Sequence, residues 1–154
     1  MGLGRIGQTL YLVDERGVVI DEYGPQYAEF DLPIVDGLVA SPDTAGPTID
    51  EARAALAARL IRSVRARPDL ARRISQIDVS DVHNAVVILV GDTVLLRVGE
   101  DQFLQRLQSY TELAATLRDR VPEIDYVDLR FDERIYVRPA ARRGEPRDEV
   151  TLAR

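Results

Sequence analysis

The stretch AVVILVGDTVLLRVG (85–99) decides the fold, because it contains two strand-prone runs joined by a turn. Val, Ile and Leu dominate both runs, and Gly91-Asp92 is a dipeptide that commonly joins antiparallel strands. The pattern therefore predicts a β-hairpin. Its nearly continuous apolar character indicates strands near the centre of a sheet, with a helix covering one face.

Amphipathic helices are predicted on both sides of this hairpin. After it, residues 100–122 carry apolar side chains at alternating spacings of four and three, which is the period of a helix with one buried face. Before it, a helix is predicted to begin at Thr48, in a capping box with Glu51, and to end before Pro68. The apolar positions are Phe103, Leu107, Tyr110, Ala114, Leu117 and Val121 in the later helix, and Ala52, Leu56, Leu60 and Val64 in the earlier one.

Further strands are predicted at both ends of the chain. GQTLYLVDERGVVIDEY (7–23) predicts a hairpin with Gly17 at positive φ, and a possible short strand near 30–32 lies in an irregular connection. Two closing strands are predicted within IDYVDLRFDERIYVRP (124–139). Strands in runs with two helices between them predict an α+β domain over 1–139. Its sheet would be largely antiparallel (mixed), with two main helices packed against it and an open terminal edge strand. Residues 140–154 contain few large apolar side chains and are predicted to be disordered.

Composition restricts the classes of function. The net charge of −6 argues against nucleic acid as a partner, because phosphate binding needs a basic patch. The longest strongly apolar run, at 85–90, is far shorter than the roughly 20 residues of a membrane helix, and no signal peptide is expected. Cysteine is absent, which excludes disulfides and thiolate metal sites, and lysine is absent, which excludes Schiff-base chemistry and a P-loop lysine.

No catalytic residue, metal site or cofactor is predicted. His83 is the only histidine and shares one polar loop with Ser80 and Asp81, whereas a catalytic triad needs residues that converge from separate elements. This loop is better interpreted as a hydrogen-bonded turn, and one histidine without cysteine argues against zinc. GLGRIG (2–7) precedes a strand and opens no helix, so it does not fit a dinucleotide-binding loop.

The charge on the closing strands allows several interpretations. It could be a catalytic array, a solvated face, or the rim of an open edge at 135–137 that receives a partner. Charged residues and proline around an edge also serve simply to prevent aggregation, and the pattern alone favours that role. A small hydrolase or ligand-binding domain is the alternative. That alternative requires a pocket lined by several of Tyr126, Asp128, Arg130 and Tyr136.

Three stretches together resemble the extracytoplasmic β domain of the FtsQ/DivIB family of bacterial cell-division proteins. They are LYLVDERGVVID (10–21) followed by LPIVDG (32–37), FLQRLQSYTELAATL (103–117), and YVDLRFDERIYVR (126–138). The resemblance implies a non-enzymatic scaffold on the extracytoplasmic (periplasmic) face of the cytoplasmic membrane. It also implies a single-pass anchor and a POTRA domain in the whole protein. Both are expected to be absent from this chain, so this fragment itself should not contact the membrane.

The resemblance further implies partners and a binding site. The expected partners are coiled-coil division proteins of the FtsB/DivIC and FtsL type, through which the domain would regulate septal peptidoglycan synthesis. The expected mode is β-augmentation, the addition of a partner strand to the last strand. Phe131 resembles an aromatic position beside that edge, Arg72 a basic position that meets a partner carboxylate, and Arg130 would lie on the outward face nearby. The receiving strand comprises Arg134, Ile135, Tyr136, Val137 and Arg138.

Overall fold

Runs of strands alternate with helices along the chain in this computed structural model, which describes residues 1–40, 48–140 and 149–153. The helices are α1 (Glu51–Val64), the short α2 (Pro68–Ala71) and α3 (Phe103–Arg120), with one 3-10 turn at Pro25–Tyr27. The strands are β1 (Gly2–Ile6), β2 (Thr9–Val13), β3 (Val19–Glu22), β4 (Ile34–Asp36), β5 (Ile74–Asp78), β6 (Ala85–Leu89), β7 (Leu95–Gly99), β8 (Ile124–Asp128), β9 (Arg134–Pro139) and β10 (Val150–Ala153).

All these strands belong to one sheet, in the order β10-β9-β8-β7-β6-β5-β4-β1-β2-β3. The segment containing α1 and α2 connects β4 to its parallel neighbour β5, and α3 connects β7 to its parallel neighbour β8. Parallel neighbours need such long crossovers, whereas the hairpins give antiparallel pairs. β1 is also parallel to β4, and the remaining neighbours are antiparallel. The predicted α+β class with a largely antiparallel, mixed sheet is confirmed.

The core lies between the sheet and the two long helices, which also contact each other. Val87 of β6 and Leu96 of β7 are opposite each other and have no exposed surface, as expected for a hairpin at the centre of the sheet. Leu60 of α1 and Leu107 of α3 are equally buried. The predicted central hairpin is confirmed, and Gly91 in its turn has a φ of 73°.

The predicted start of α1 is wrong by two residues. Asp50, not Thr48, is the N-cap, and its carboxylate accepts a hydrogen bond from the backbone N–H of Arg53 at 3.1 Å. Ile49 forms an antiparallel bridge with Val39. This extended backbone keeps Thr48, the residue before Ile49, outside the helix. Ala52, which the sequence placed on the apolar stripe of this helix, is exposed. The buried positions are Ala54, Leu56, Ala57, Leu60 and Val64.

The first part of the sheet also differs from the prediction. The glycine-containing segment 2–6 forms β1 between β2 and β4. A Cβ at Gly4 would lie 2.7 Å from Val13 Cγ2 and 2.8 Å from Leu38 Cδ1, so glycine permits close packing in this strand. No strand forms at 30–32. The strand in this part of the chain is β4, at Ile34–Asp36. The hairpin of β2 and β3 is confirmed, with Gly17 at a φ of 80°.

The terminal edge of the sheet is not at 135–137, because β10 pairs antiparallel with β9. Val150 lies opposite Val137, and Leu152 lies opposite Ile135. These two apolar residues at strand spacing extend the apolar row of β9, which explains why a strand forms. The predicted disorder is therefore wrong for 150–153. Ala140 and Glu149 are described but belong to no strand or helix, and 141–148 and 154 lie outside the described residues.

Candidate functional site

The two faces of β9 carry different chemistry. Ile135 and Val137 point toward the helices and have no exposed surface. Tyr136 and Arg138 are half-buried on the opposite face of the sheet, and Arg134 on that face is exposed. The alternation in the sequence thus anchors β9 in the core while placing an aromatic ring and two guanidinium groups at the surface.

Phe131 lies beside β9 as an exposed aromatic side chain. β8 ends at Asp128 and the chain turns there, so Phe131 lies outside the strand. Phe131 is 47% exposed, whereas Leu129 has no exposed surface. The rings of Phe131 and Tyr136 meet edge to face, with centroids 5.0 Å apart at 74°, which is a favourable geometry for two aromatic rings.

Asp128 fixes Arg130 next to this aromatic pair. Its carboxylate is 5% exposed and accepts from the Arg130 backbone N–H at 3.1 Å, from Nε at 2.9 Å and from Nη2 at 2.6 Å. The hydrogen bond to Asp128 raises the pKa of Arg130 above its ordinary value. The guanidinium lies 5.9 Å from the centre of the Phe131 ring, within the range of a cation–π contact. Arg130 and Phe131 therefore form a preorganised pair at the surface.

Tyr126 connects β8 to β10 across β9. Its hydroxyl donates to Glu149 Oε2 at 2.6 Å, and this hydrogen bond is the main cause of the raised pKa of Tyr126. The guanidinium of Arg97 lies 3.9 Å from the centre of the Tyr126 ring. Arg138 is opposite Tyr126, and its buried Nε has no hydrogen-bond partner among the described residues.

Arg106 of α3 supports the loop that bears Phe131, and sequence reasoning missed it. It is 7% exposed, and its guanidinium donates to the carbonyls of Val98 at 2.7 Å, Asp101 at 3.0 Å and Arg130 at 3.1 Å. Charged residues of an amphipathic helix ordinarily face water. The signal in the sequence that Arg106 does not is its position three residues after Phe103, on the buried face of the helix.

Arg72 is not brought close to the other predicted site residues. It is exposed at the end of α2, directly before β5. Strands β6, β7 and β8 separate β5 from β9. Four strand spacings correspond to about 19 Å across the sheet. The predicted residues therefore form one cluster at the β9 end of the sheet and one isolated basic position.

The pocket required by the ligand-binding alternative is not among the best-formed cavities between described residues. One cavity of about 300 Å³ lies between α3 and β10, and others lie near β1, near Gly91 and beside α1. Tyr126, Asp128, Arg130 and Tyr136 line none of these. They lie instead on the surface beside β9.

Sequence comparison places this chain in a known family. A sequence model for the C-terminal region of the cell division protein FtsQ/DivIB matches residues 4–130, which is most of the chain. The chain belongs to the FtsQ/DivIB family. The matched part of this FtsQ/DivIB domain ends directly before Phe131, so β9 and β10 lie beyond it.

A curated relative extends the comparison. The cell division protein FtsQ of Koribacter versatilis (strain Ellin345) is 22% identical over 142 residues, which are 90% of this chain and 40% of that protein. The FtsQ/DivIB domain described here thus spans about 40% of the length of this relative. Within residues 1–40, 48–140 and 149–153, no helix combines the length and apolar character needed to cross a bilayer.

His83 of the FtsQ/DivIB domain lies in a hydrogen-bonded turn, as predicted. Its backbone N–H donates to Asp81 Oδ1 at 2.9 Å, and the backbone N–H of Ser80 donates to Asp78 Oδ1 at 2.8 Å. The imidazole itself lies elsewhere, with Nδ1 3.0 Å from Glu100 Oε2. The hydrogen bond to Glu100 and the charge of its carboxylate raise the pKa of His83 above its ordinary value.

Replacing Glu100 with glutamine is expected to lower the pKa of His83 toward the value of an isolated imidazole. A raised folded-state pKa means that this ion pair stabilises the fold below the unfolded pKa of about 6.5 and that the contribution is lost as pH rises through the folded pKa. NMR titration of the imidazole proton signals measures the pKa of His83 in the wild-type protein and in the Glu100→Gln variant. Asp81→Asn is the matched control, since Asp81 is the smallest contributor to the shift. Equal pKa values in wild type and Glu100→Gln would contradict the expected pairing.

Proposed function

We propose that this FtsQ/DivIB domain is a non-enzymatic interaction module of the bacterial division machinery. In the whole protein it lies on the extracytoplasmic (periplasmic) face of the cytoplasmic membrane, to which a single N-terminal helix anchors it. It binds coiled-coil proteins of the FtsB/DivIC and FtsL type and through them regulates septal peptidoglycan synthesis. One observation supports the proposal: β9 pairs on its outer side with a short antiparallel strand of the same chain, β10, beside an exposed aromatic and arginine surface.

Strand addition at β9 is physically favourable. The core row of Ile135 and Val137 gives an incoming strand two buried neighbours, and its pairing with Val150 and Leu152 shows the register available. Main-chain hydrogen bonds to the outward backbone groups of β9, which β10 makes in the structure, are what supplies the affinity in β-augmentation. In this proposal, the partner strand makes those main-chain bonds.

The surface beside β9 supplies specificity. Exposed aromatic and arginine side chains are the residues most often found at the centres of protein interfaces. Arg134 and Arg138 place positive charge along the strand, so the proposed partner segment is acidic. The proposed binding residues are Arg130, Phe131, Arg134, Ile135, Tyr136, Val137 and Arg138, with Arg72 as a distant contact.

Arg72 fits this arrangement only with an elongated partner. The distance of about 19 Å from β9 corresponds to roughly 13 residues of α-helix at about 1.5 Å per residue. A helical segment followed by an extended one could meet Arg72 with the first part and β9 with the second. This combination of a helix and a strand is what a coiled-coil protein with an extended C-terminal segment would offer.

The proposal is tested by mixing the domain with the extracytoplasmic segments of its cognate FtsB/DivIC- and FtsL-type proteins. We expect a complex by isothermal calorimetry or size-exclusion chromatography. Proline at Tyr136 or Val137, at whichever position the N–H points outward, is expected to abolish binding, because proline removes the donor. Proline at Ile20 or Asp21, on the edge strand at the opposite end of the sheet, is the matched control. The proposal is contradicted if the wild-type domain does not bind, or if both β9 proline variants fold and bind normally.

Truncating Phe131 to alanine is expected to weaken the complex by about 10- to 100-fold, in the range of an interface hot spot. The free energy of unfolding should change little, since the side chain is 47% exposed. Phe30→Ala is the matched control, because Phe30 is 53% exposed and precedes β4, well away from β9. Binding calorimetry gives the affinities. Equal losses for the two variants would contradict a specific role for Phe131.

A further inference from the structure

We propose that β10 is an intramolecular substitute for the partner strand, which occupies the outer side of β9 in the free domain and leaves when a partner pairs there. The inference rests on the proposed function and concerns the regulation of the same site. It makes binding a strand exchange, in which the partner competes with the chain's own C-terminal segment.

The first step is that β10 fills the position a partner strand needs. It pairs with β9 from Arg134 to Val137, which is most of the proposed receiving strand. The Tyr126–Glu149 hydrogen bond of 2.6 Å fastens the start of β10 to β8. A second strand cannot make backbone hydrogen bonds to the outer side of β9 while β10 is in place.

The second step is that β10 is incompletely packed. It has four residues, of which Thr151 and Ala153 are exposed while Val150 and Leu152 are only half-buried. A cavity of about 300 Å³ lies against Leu152 and Ala153. It is lined on the other side by α3, through Leu113, Thr116, Leu117 and Arg120. This cavity is wide enough for water, so the apolar side chains of β10 are only partly covered and β10 gains only part of the burial available at this edge.

The third step is the chemistry of a strand that would displace β10. The displacing strand needs apolar side chains larger than those of Val150 and Leu152, because larger side chains would fill the space beside α3. It also needs a carboxylate at the position of Glu149, to accept from the Tyr126 hydroxyl and to lie near Arg138, whose Nε is unpaired among the described residues. An extended acidic segment with bulky apolar residues at alternate positions meets these requirements.

The inference predicts that removing β10 strengthens partner binding. When only a fraction of the molecules is in the binding-competent state, the apparent dissociation constant is the intrinsic one divided by that fraction. Deleting residues 149–154 is therefore expected to increase affinity by about tenfold for the coiled-coil segments that test the proposed function. Calorimetry gives the affinity, and circular dichroism shows whether the shortened chain retains the fold.

A disulfide lock tests the same inference in the full-length chain. Val137 and Val150 are opposite each other, and antiparallel partners lie within the Cα separation that a disulfide spans. The chain contains no cysteine, so Val137→Cys/Val150→Cys forms one defined bridge. We expect the oxidised form to bind much more weakly than the reduced form of the same variant, a comparison that cancels any effect of the Val137→Cys change itself on affinity. Tyr11→Cys/Glu22→Cys, which bridges β2 and β3 at the other end, is the matched control and should bind in both forms.

The outcomes separate this inference from the proposed function. Equal binding by the oxidised and reduced locked forms overturns the inference and leaves the proposed function intact. Weaker binding by the shortened chain than by wild type also overturns the inference, because β10 would then be part of the surface that the partner binds. If neither wild type, the reduced locked form nor the shortened chain binds, the proposed function fails and this inference with it. Should the shortened chain not fold, the locked pair decides alone.

Discussion

Replacing Arg106 with leucine is expected to lower the free energy of unfolding by about 3 kcal/mol, the cost typical of removing one partner from a buried polar network. The guanidinium is 7% exposed and donates to three backbone carbonyls, those of Val98, Asp101 and Arg130. Leucine keeps apolar volume in the helix face but leaves the buried Val98 carbonyl without this donor. Urea unfolding followed by circular dichroism measures the loss.

Arg118→Leu provides the comparison on the same helix. Arg118 pairs with Asp92 at 2.7 Å, but its side chain is 57% exposed, so the change should cost less than about 1 kcal/mol. Arg106→Leu should also weaken partner binding while the protein remains folded, because the Arg130 carbonyl belongs to the turn that positions Phe131. If the two leucine variants are equally stable, the structural role given to Arg106 is wrong.

The elements that the sequence predicted correctly are those whose local pattern agrees with their place in the fold. The central hairpin of β6 and β7 has apolar strands and a glycine turn, and its neighbours in space are its neighbours in the chain. The face of α3 repeats with helical spacing over eighteen residues. In both cases burial, propensity and turn chemistry favour the same structure, which is the condition under which local reasoning succeeds.

The elements that the sequence did not predict depend on partners far along the chain. β1 contains two glycines and becomes a strand because β2 and β4 enclose it. β10 has only two large apolar residues, and its pairing with β9 joins Val137 to Val150 across thirteen positions. Such pairings are decided by tertiary contacts that no periodicity reveals. This is why the open edge was assigned to β9 and the C-terminal segment to disorder.

The candidate site was predictable only in part. The sequence predicted a strand in the last part of 124–139, and the structure forms β9 there, at Arg134–Pro139. Phe131 became a surface residue because Asp128 ends β8 and holds Arg130 through its backbone and side chain. That turn is determined by a carboxylate two residues away, which a strand pattern does not signal. Arg106 was missed because its three acceptors come from separate segments.

Replacing Gly37 with alanine is expected to lower the free energy of unfolding by about 3 kcal/mol, the sum of a left-handed backbone penalty and overpacking. Gly37 has a φ of 81° and follows β4, the strand that lies between β1 and β5. An added Cβ would lie 2.4 Å from Ser80 Oγ and 2.5 Å from Ser80 N. The serine hydroxyl can rotate away, but the backbone nitrogen cannot move. The preceding residue is held to the strand, because the Val79 N–H donates a hydrogen bond to the Asp36 carbonyl at 3.0 Å.

Gly91→Ala separates the two causes of this loss. Gly91 has a similar φ of 73°, but a Cβ there would meet nothing within 4 Å. Its substitution should therefore cost only the backbone penalty of about 1 kcal/mol. Urea unfolding gives the free energy of unfolding of each variant. The difference between the two values measures the cost of the contact between the added Cβ at residue 37 and Ser80. If the two alanine variants lose equal stability, the close approach of Gly37 to Ser80 does not constrain the fold, and conformation alone explains the glycine.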